Sequence, residues 1–129
     1  MNEEQLQAAC YQWFHNTYPT LRRTLFAVPN GGKRPQEFVG GRMISREANR
    51  MKATGTIPGV SDLVWMLPEK VLFIEMKVEK GVQSPEQKDF EAKCTALGHT
   101  YIVVRSLDAF KRLIYTHAEE SMERLKRNL

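Results

Sequence analysis

The stretch Ser61-Asp62-Leu63-Val64-Trp65-Met66-Leu67-Pro68-Glu69-Lys70-Val71-Leu72-Phe73-Ile74-Glu75-Met76-Lys77-Val78 decides the fold. It reads as two strands, Ser61–Met66 and Val71–Val78, joined by Leu67-Pro68-Glu69-Lys70. With Pro68-Glu69 as the loop, Asp62 sits opposite Glu75, and Lys77 lies two residues along on the same face. Directly opposed side chains in an antiparallel pair have Cβ atoms roughly 5 Å apart, and like charges there are destabilising. Stability alone does not account for such a pair. A divalent cation bridging the two carboxylates removes the penalty, and the nearby ammonium can then act on water or phosphate. The expectation is a hydrolase.

The second strand changes character along its length. Leu72, Ile74, Met76 and Val78 share one face and are expected in the core. Val71, Phe73, Glu75 and Lys77 share the other, which begins apolar and ends ionisable. A strand buried early and polar late is expected to emerge at a sheet edge, where rigid backbone can carry a site. The plainer alternative is an exposed Glu–Lys face. The tight approach Gly55-Thr56-Ile57-Pro58-Gly59-Val60-Ser61 delivers Asp62 at a strand start, and Asp suits strands poorly. Far upstream, Glu3 is in phase with Leu6, Cys10 and Trp13, whereas Glu4 is rotated about 100° away. Glu3 is therefore either a partner for the helix dipole or a third acid for the site.

Outward from the hairpin, residues 3–17 read as a helix with one apolar stripe, ended by Tyr18-Pro19. Thr24–Val28 is a short strand stopped by Pro29-Asn30-Gly31-Gly32, residues 33–42 read as a loop, and a helix runs from about Ile44 to Ala53. Ser84-Pro85-Glu86-Gln87 opens another helix, with Ser as N-cap, Pro at the first helical position and Gln completing a capping box. That helix stops at Gly98; Tyr101–Val104 is an apolar strand, and a last helix spans Leu107 to about Arg127. The order α-β-α-β-β-α-β-α implies a small mixed β-sheet flanked by helices, an α/β fold in one domain spanning 1–129.

The net charge of +4 is unevenly spread. Arg22, Arg23, Lys33, Arg34, Arg42, Arg46, Arg50 and Lys52 face only Glu37 and Glu47 within residues 22–52, leaving the remainder acidic. A basic segment beside an acidic cluster suits a polyanion held by one part and processed by the other. No apolar run approaches the roughly 20 residues that cross a bilayer, so no membrane partner is expected. Cys10 and Cys94 sit among apolar neighbours in helical patterns and read as reduced, buried thiols of a cytoplasmic protein.

Asp62 followed by Glu75-Met76-Lys77 resembles the PD-(D/E)xK nuclease core, and the wider pattern resembles its VRR-Nuc branch, in particular the short stand-alone phage form. The matching stretches are Glu3-Glu4-Gln5-Leu6-Gln7, Val28-Pro29-Asn30-Gly31-Gly32, Pro58-Gly59-Val60-Ser61-Asp62-Leu63, Ile74-Glu75-Met76-Lys77, Ser84-Pro85-Glu86-Gln87 and Tyr101–Arg105. Pro58 stands apart from Asp62, so the literal Pro-Asp dipeptide is absent. The resemblance implies a restriction-endonuclease-like fold and Mg²⁺- or Mn²⁺-dependent hydrolysis of DNA phosphodiesters. It implies that Asp62, Glu75 and the Met76 carbonyl hold the metal, with Glu3 in its outer shell or on a second metal. Lys77 would position or activate water, and Gln87 would orient water or phosphate beside its capping role. It further implies a homodimer acting on branched DNA such as Holliday junctions, in a host cytoplasm if viral.

Given that reading, Arg42, Arg46 and Arg50 at four-residue spacing become a helical stripe that follows a phosphate backbone. Asn30, Gly31 and Gly32 allow close approach of a sugar-phosphate chain, and Lys33 and Arg34 extend the surface. A P-loop at Gly32-Lys33 is rejected, because Ala27 stands where its first glycine belongs. His15, His99 and His117 have no zinc-ligand spacing with the cysteines. Trp13 and Trp65 read as packing residues. Two other readings stay open: a non-catalytic DNA-binding module and a sequence-specific restriction-like endonuclease.

Overall fold

Asn2 starts the first helix: its side chain accepts from the Gln5 N–H, and the Gln5 side chain accepts in return from the Asn2 N–H. The helix, α1 (Glu3–Thr17), buries Leu6, Cys10 and Phe14 along one stripe and ends at Tyr18 before Pro19. A 3-10 turn (Pro19–Leu21) leads into strand β1 (Leu25–Ala27). The computed structural model describes residues 1–29 and 37–129.

Two short strands follow, β2 (Glu37–Val39) and β3 (Arg42–Ile44), paired antiparallel as a separate hairpin. Gly40 and Gly41 join them with φ of 58° and 83°, the pair of left-handed conformations that a type I′ turn requires of its two central residues. The expectation of a loop to residue 42 is thus corrected. Strands of three residues are too short for alternation to show in the sequence. Helix α2 (Arg46–Ala53) begins after Ser45, whose hydroxyl accepts from Ala48 N–H at 3.1 Å, so it starts two residues later than expected.

Strands β4 (Leu63–Leu67) and β5 (Lys70–Met76) form the hairpin with the expected register, from Leu63 opposite Ile74 to Leu67 opposite Lys70. Pro68-Glu69 is the connecting loop, with Glu69 in the left-handed region at φ 64°. Helix α3 (Pro85–Ala96) then crosses over to β6 (Thr100–Val104), which lies parallel to β5. The sheet order is β1-β4-β5-β6, a mixed α/β sheet as expected. One expectation fails: β5 is interior, not an edge, because the apolar β6 docks on its far side. The last helix, α4 (Leu107–Asn128), packs with α1 over one face.

Leu6 and Phe14 of α1, Trp65, Leu72 and Ile74 of the sheet, and Phe110 and Ile114 of α4 form the main core. Trp65 is fully buried, edge-on to Phe14, with its Nε1–H given to Thr24 Oγ1 at 3.2 Å. Truncating such a side chain to Ala costs about 3–5 kcal/mol. Trp13 packs edge-on against Tyr18, Phe110 and Tyr115. On the opposite face Phe73 meets Phe90 of α3 edge-on at 5.4 Å. Cys10 and Cys94 are both buried and unpaired, and burial pushes the Cys10 thiol up to about 11. Among the described residues no helix is long and apolar enough to cross a membrane.

Candidate active site

Strand alternation places the site. Leu63 and Ile74 turn into the core, so Asp62 and Glu75 turn to the other face. There Phe73 is covered by Phe90, and Glu75 meets the first turn of α3. Gln87 Nε2 donates to Glu75 Oε2 at 2.6 Å, while Gln87 Oε1 accepts from the Ser84 N–H at 2.8 Å and the Gln87 N–H is given to Ser84 Oγ. Gln87 thus caps the helix, as its structural reading expected, and in addition donates to Glu75. Asp62 is fixed by the Met76 N–H, which donates to its Oδ2 at 2.7 Å, and its own carbonyl accepts from Val28 N–H.

The loop that carries Asp62 rests on the helix that carries Gln87. Gly59 has φ 86°, and a Cβ there would collide with the carbonyl of Glu86. Only glycine allows this approach of two backbones. The close packing explains how a loop residue and a helix residue converge on Glu75 with fixed geometry.

Glu75 is 1% exposed, and among the described residues no donor reaches its buried Oε1. Burial raises its affinity for a proton most, and the Asp62 carboxyl raises it further; Lys77 acts in the opposite direction. A buried carboxyl facing another carboxylate must be relieved by a proton or a cation. The donors present are hard oxygens, which suit Mg²⁺ or Mn²⁺. The residues at this position thus fit such an ion.

Glu3 takes a different place from the two acids. Among the described residues no group of three or more His, Cys, Asp or Glu side chains is gathered as a metal cluster. Glu3 Oε1 lies 3.9 Å from Lys77 Nζ, and Lys77 is 8% exposed. The inward phase of Glu3 on α1 thus places its carboxylate against the buried ammonium. The turn after Lys77 is held in its turn: Gly81 N–H donates to the Val78 carbonyl at 2.7 Å, and Arg105 Nη1 donates to the carbonyls of Glu79 and Gly81 at 3.2 and 2.9 Å. A Cβ on Gly81 would sit 3.3 Å from Glu3 Oε1 and 3.4 Å from Lys77 Cδ. Arg105 falls within the matching stretch Tyr101–Arg105 but without a role, and Gly81 is unmarked in the sequence, because the clamp joins two loops that lie far apart in the chain.

Of the expected DNA-facing residues, Arg46 and Arg50 lie one turn apart on α2, and all three arginines are exposed. Arg42 does not join them on a helix; it belongs to β3, because the Gly40-Gly41 turn makes it a strand residue. Asn30, Gly31, Gly32, Lys33 and Arg34 lie outside the described residues. Between α1 and β1, Glu3 and Asp62 also border a cavity of about 810 Å³.

No protein-family profile matches the chain, and no curated protein matches it. Among solved structures, one described as a VRR_NUC domain protein aligns with a TM-score of 0.70 at 18% identity, covering 92% of this chain and 89% of that one. The chain therefore has the fold of a VRR_NUC domain protein, in agreement with the restriction-endonuclease-like core expected from Asp62 and Glu75-Met76-Lys77.

Proposed function

We propose that this chain is a metal-dependent endonuclease that hydrolyses DNA phosphodiester bonds. The observation that carries the reading is the Asp62–Glu75 pair, with Glu75 Oε1 buried and lacking a donor among the described residues, and with Lys77 just past the end of the same strand. The shared fold with a VRR_NUC domain protein supports it.

Asp62, Glu75 and the Met76 carbonyl would hold Mg²⁺ or Mn²⁺. Bound there, the ion supplies positive charge where negative charge develops on the phosphate. Lys77 contributes a second positive charge close by, and its pairing with Glu3 at 3.9 Å fixes the position of the ammonium. Gln87 is a positioning residue: it fixes one oxygen of Glu75 and leaves Oε1 for the ion. Arg42, Arg46 and Arg50 supply positive charge for the DNA backbone, and Asn30 to Arg34 extend that surface. Branched DNA such as a four-way junction, and a homodimer that cuts two opposed strands, complete the proposal.

The test compares a four-way junction, a flap and a linear duplex of the same sequence, each in Mg²⁺, Mn²⁺ and chelator. Metal-dependent cleavage that favours the junction and disappears in Asp62→Ala is expected. DNA binding without cleavage in either metal would instead establish a binding module, and cleavage of the duplex at one sequence would establish a restriction-like enzyme.

A further inference from the structure

We infer that the cavity between α1 and β1 receives an unpaired nucleobase of the substrate strand that adjoins the reacting phosphate. The inference rests on the nuclease reading and adds to it a site for the base. The cavity, about 810 Å³, falls within the usual range of ligand pockets, and Gln7, Tyr11 and Gln12 line it from α1, with Phe26 from β1 and Val28 just after it. It is continuous with the candidate active site, because Glu3 and Asp62 also form its wall.

The chemistry of that wall excludes one part of a nucleotide and favours another. Its described ionisable side chains are the Glu3, Glu4 and Asp62 carboxylates and the Tyr11 phenol, none of which attracts a phosphate. It does present two amide side chains and two aromatic rings. Phe26 is 42% exposed and Tyr11 37% exposed, so both leave ring surface open to a ligand. His15 stacks behind Tyr11 at 6.2 Å, which steadies the ring. A nucleobase is flat and neutral, with hydrogen-bonding edges; it matches rings and amides and tolerates neighbouring carboxylates. Bases inside a duplex are already stacked and paired, so only an unpaired one is available.

Strand geometry sets the distance. Phe26 lies opposite Val64, two residues along from Asp62, which is about 7 Å of strand. The ring is therefore close enough to meet the base next to a phosphate that reacts beside Asp62 and Glu75.

A single-stranded oligonucleotide carrying 2-aminopurine tests this, because stacking quenches its fluorescence. Quenching is read in chelator, and cleavage of gapped and fully paired DNA is read in Mg²⁺. Phe26→Ala and Tyr11→Ala should each weaken the quenched complex by about tenfold and slow cutting beside an unpaired base, with each variant still folding cooperatively in thermal melting. Tyr11→Phe should retain the quench. Unchanged quenching in both alanine variants would overturn the inference while leaving the nuclease reading intact. Quenching lost in the variants but with no cleavage by the parent chain would support the base site and overturn the nuclease reading.

Discussion

Gln87 gives its Nε2 hydrogen to Glu75 Oε2 across 2.6 Å, and with its other end closes the cap of α3. One side chain thus ties the start of a helix to a buried acid on a central strand. Its two duties are separable by substitution. Ser84→Ala removes the cap and should cost about 1 kcal/mol in stability, with Glu75 still held. Gln87→Ala removes both contacts and should also weaken Mn²⁺ binding by about tenfold or more, the usual effect of losing an outer-shell partner. Calorimetric titration of the two variants separates these effects; equal Mn²⁺ affinity in both would deny Gln87 its part in the site.

A buried acid beside another acid makes stability depend on pH. Burial and Asp62 raise Glu75 in the folded chain, so near neutrality the folded state retains a proton that the unfolded chain has released. Stability from this group is complete below the ordinary Glu value of about 4.3 and is lost as pH climbs toward the raised folded value. Glu75→Gln mimics the protonated form and escapes the loss. Without metal, the melting temperature of the variant should therefore overtake that of the parent increasingly from pH 5 to pH 8. A constant difference between the two across that range would contradict the crowding of Asp62 and Glu75.

The turn after Lys77 hangs on Arg105, whose Nη1 reaches the carbonyls of Glu79 and Gly81. Arg105→Ala should loosen that turn and misplace Lys77 without touching the two acids. The expected result is a lower kcat with unchanged Mn²⁺ affinity, partly restored by Arg105→Lys. Loss of metal affinity in Arg105→Ala would place its role elsewhere.

At Gly59 any side chain faces both a left-handed backbone and the Glu86 carbonyl. Gly59→Ala should lower stability by more than the roughly 1 kcal/mol that positive φ alone imposes, read by urea unfolding. Gly55, also at positive φ but with open space around it, serves as control, and Gly55→Ala should cost only that smaller amount.

Much of this architecture was legible in the chain because strong local signals agreed with one another. Pro68-Glu69 fixed the hairpin register, Ser84 and Gln87 marked the cap of α3, and Leu6, Cys10 and Phe14 marked the buried stripe of α1. What stayed hidden depended on contacts remote in sequence. The position of β5 inside the sheet follows from where β6 docks after a helical crossover, which periodicity within β5 does not encode. The Glu3–Lys77 pairing joins the first turn of α1 to the residue just past β5, more than seventy residues later, so phase on α1 showed direction but not partner. The Gly40-Gly41 hairpin escaped because each strand holds only three residues, and with it went the supposed helical stripe of Arg42, Arg46 and Arg50.

The most direct test of the metal site counts Mn²⁺ bound to the chain by electron paramagnetic resonance, in the parent and in Glu75→Gln, at neutral pH. The parent should bind Mn²⁺ with release of protons and a higher melting temperature, and the variant should lose both. Equal Mn²⁺ binding by the two proteins, or none by the parent, would contradict a divalent ion held between Asp62 and Glu75.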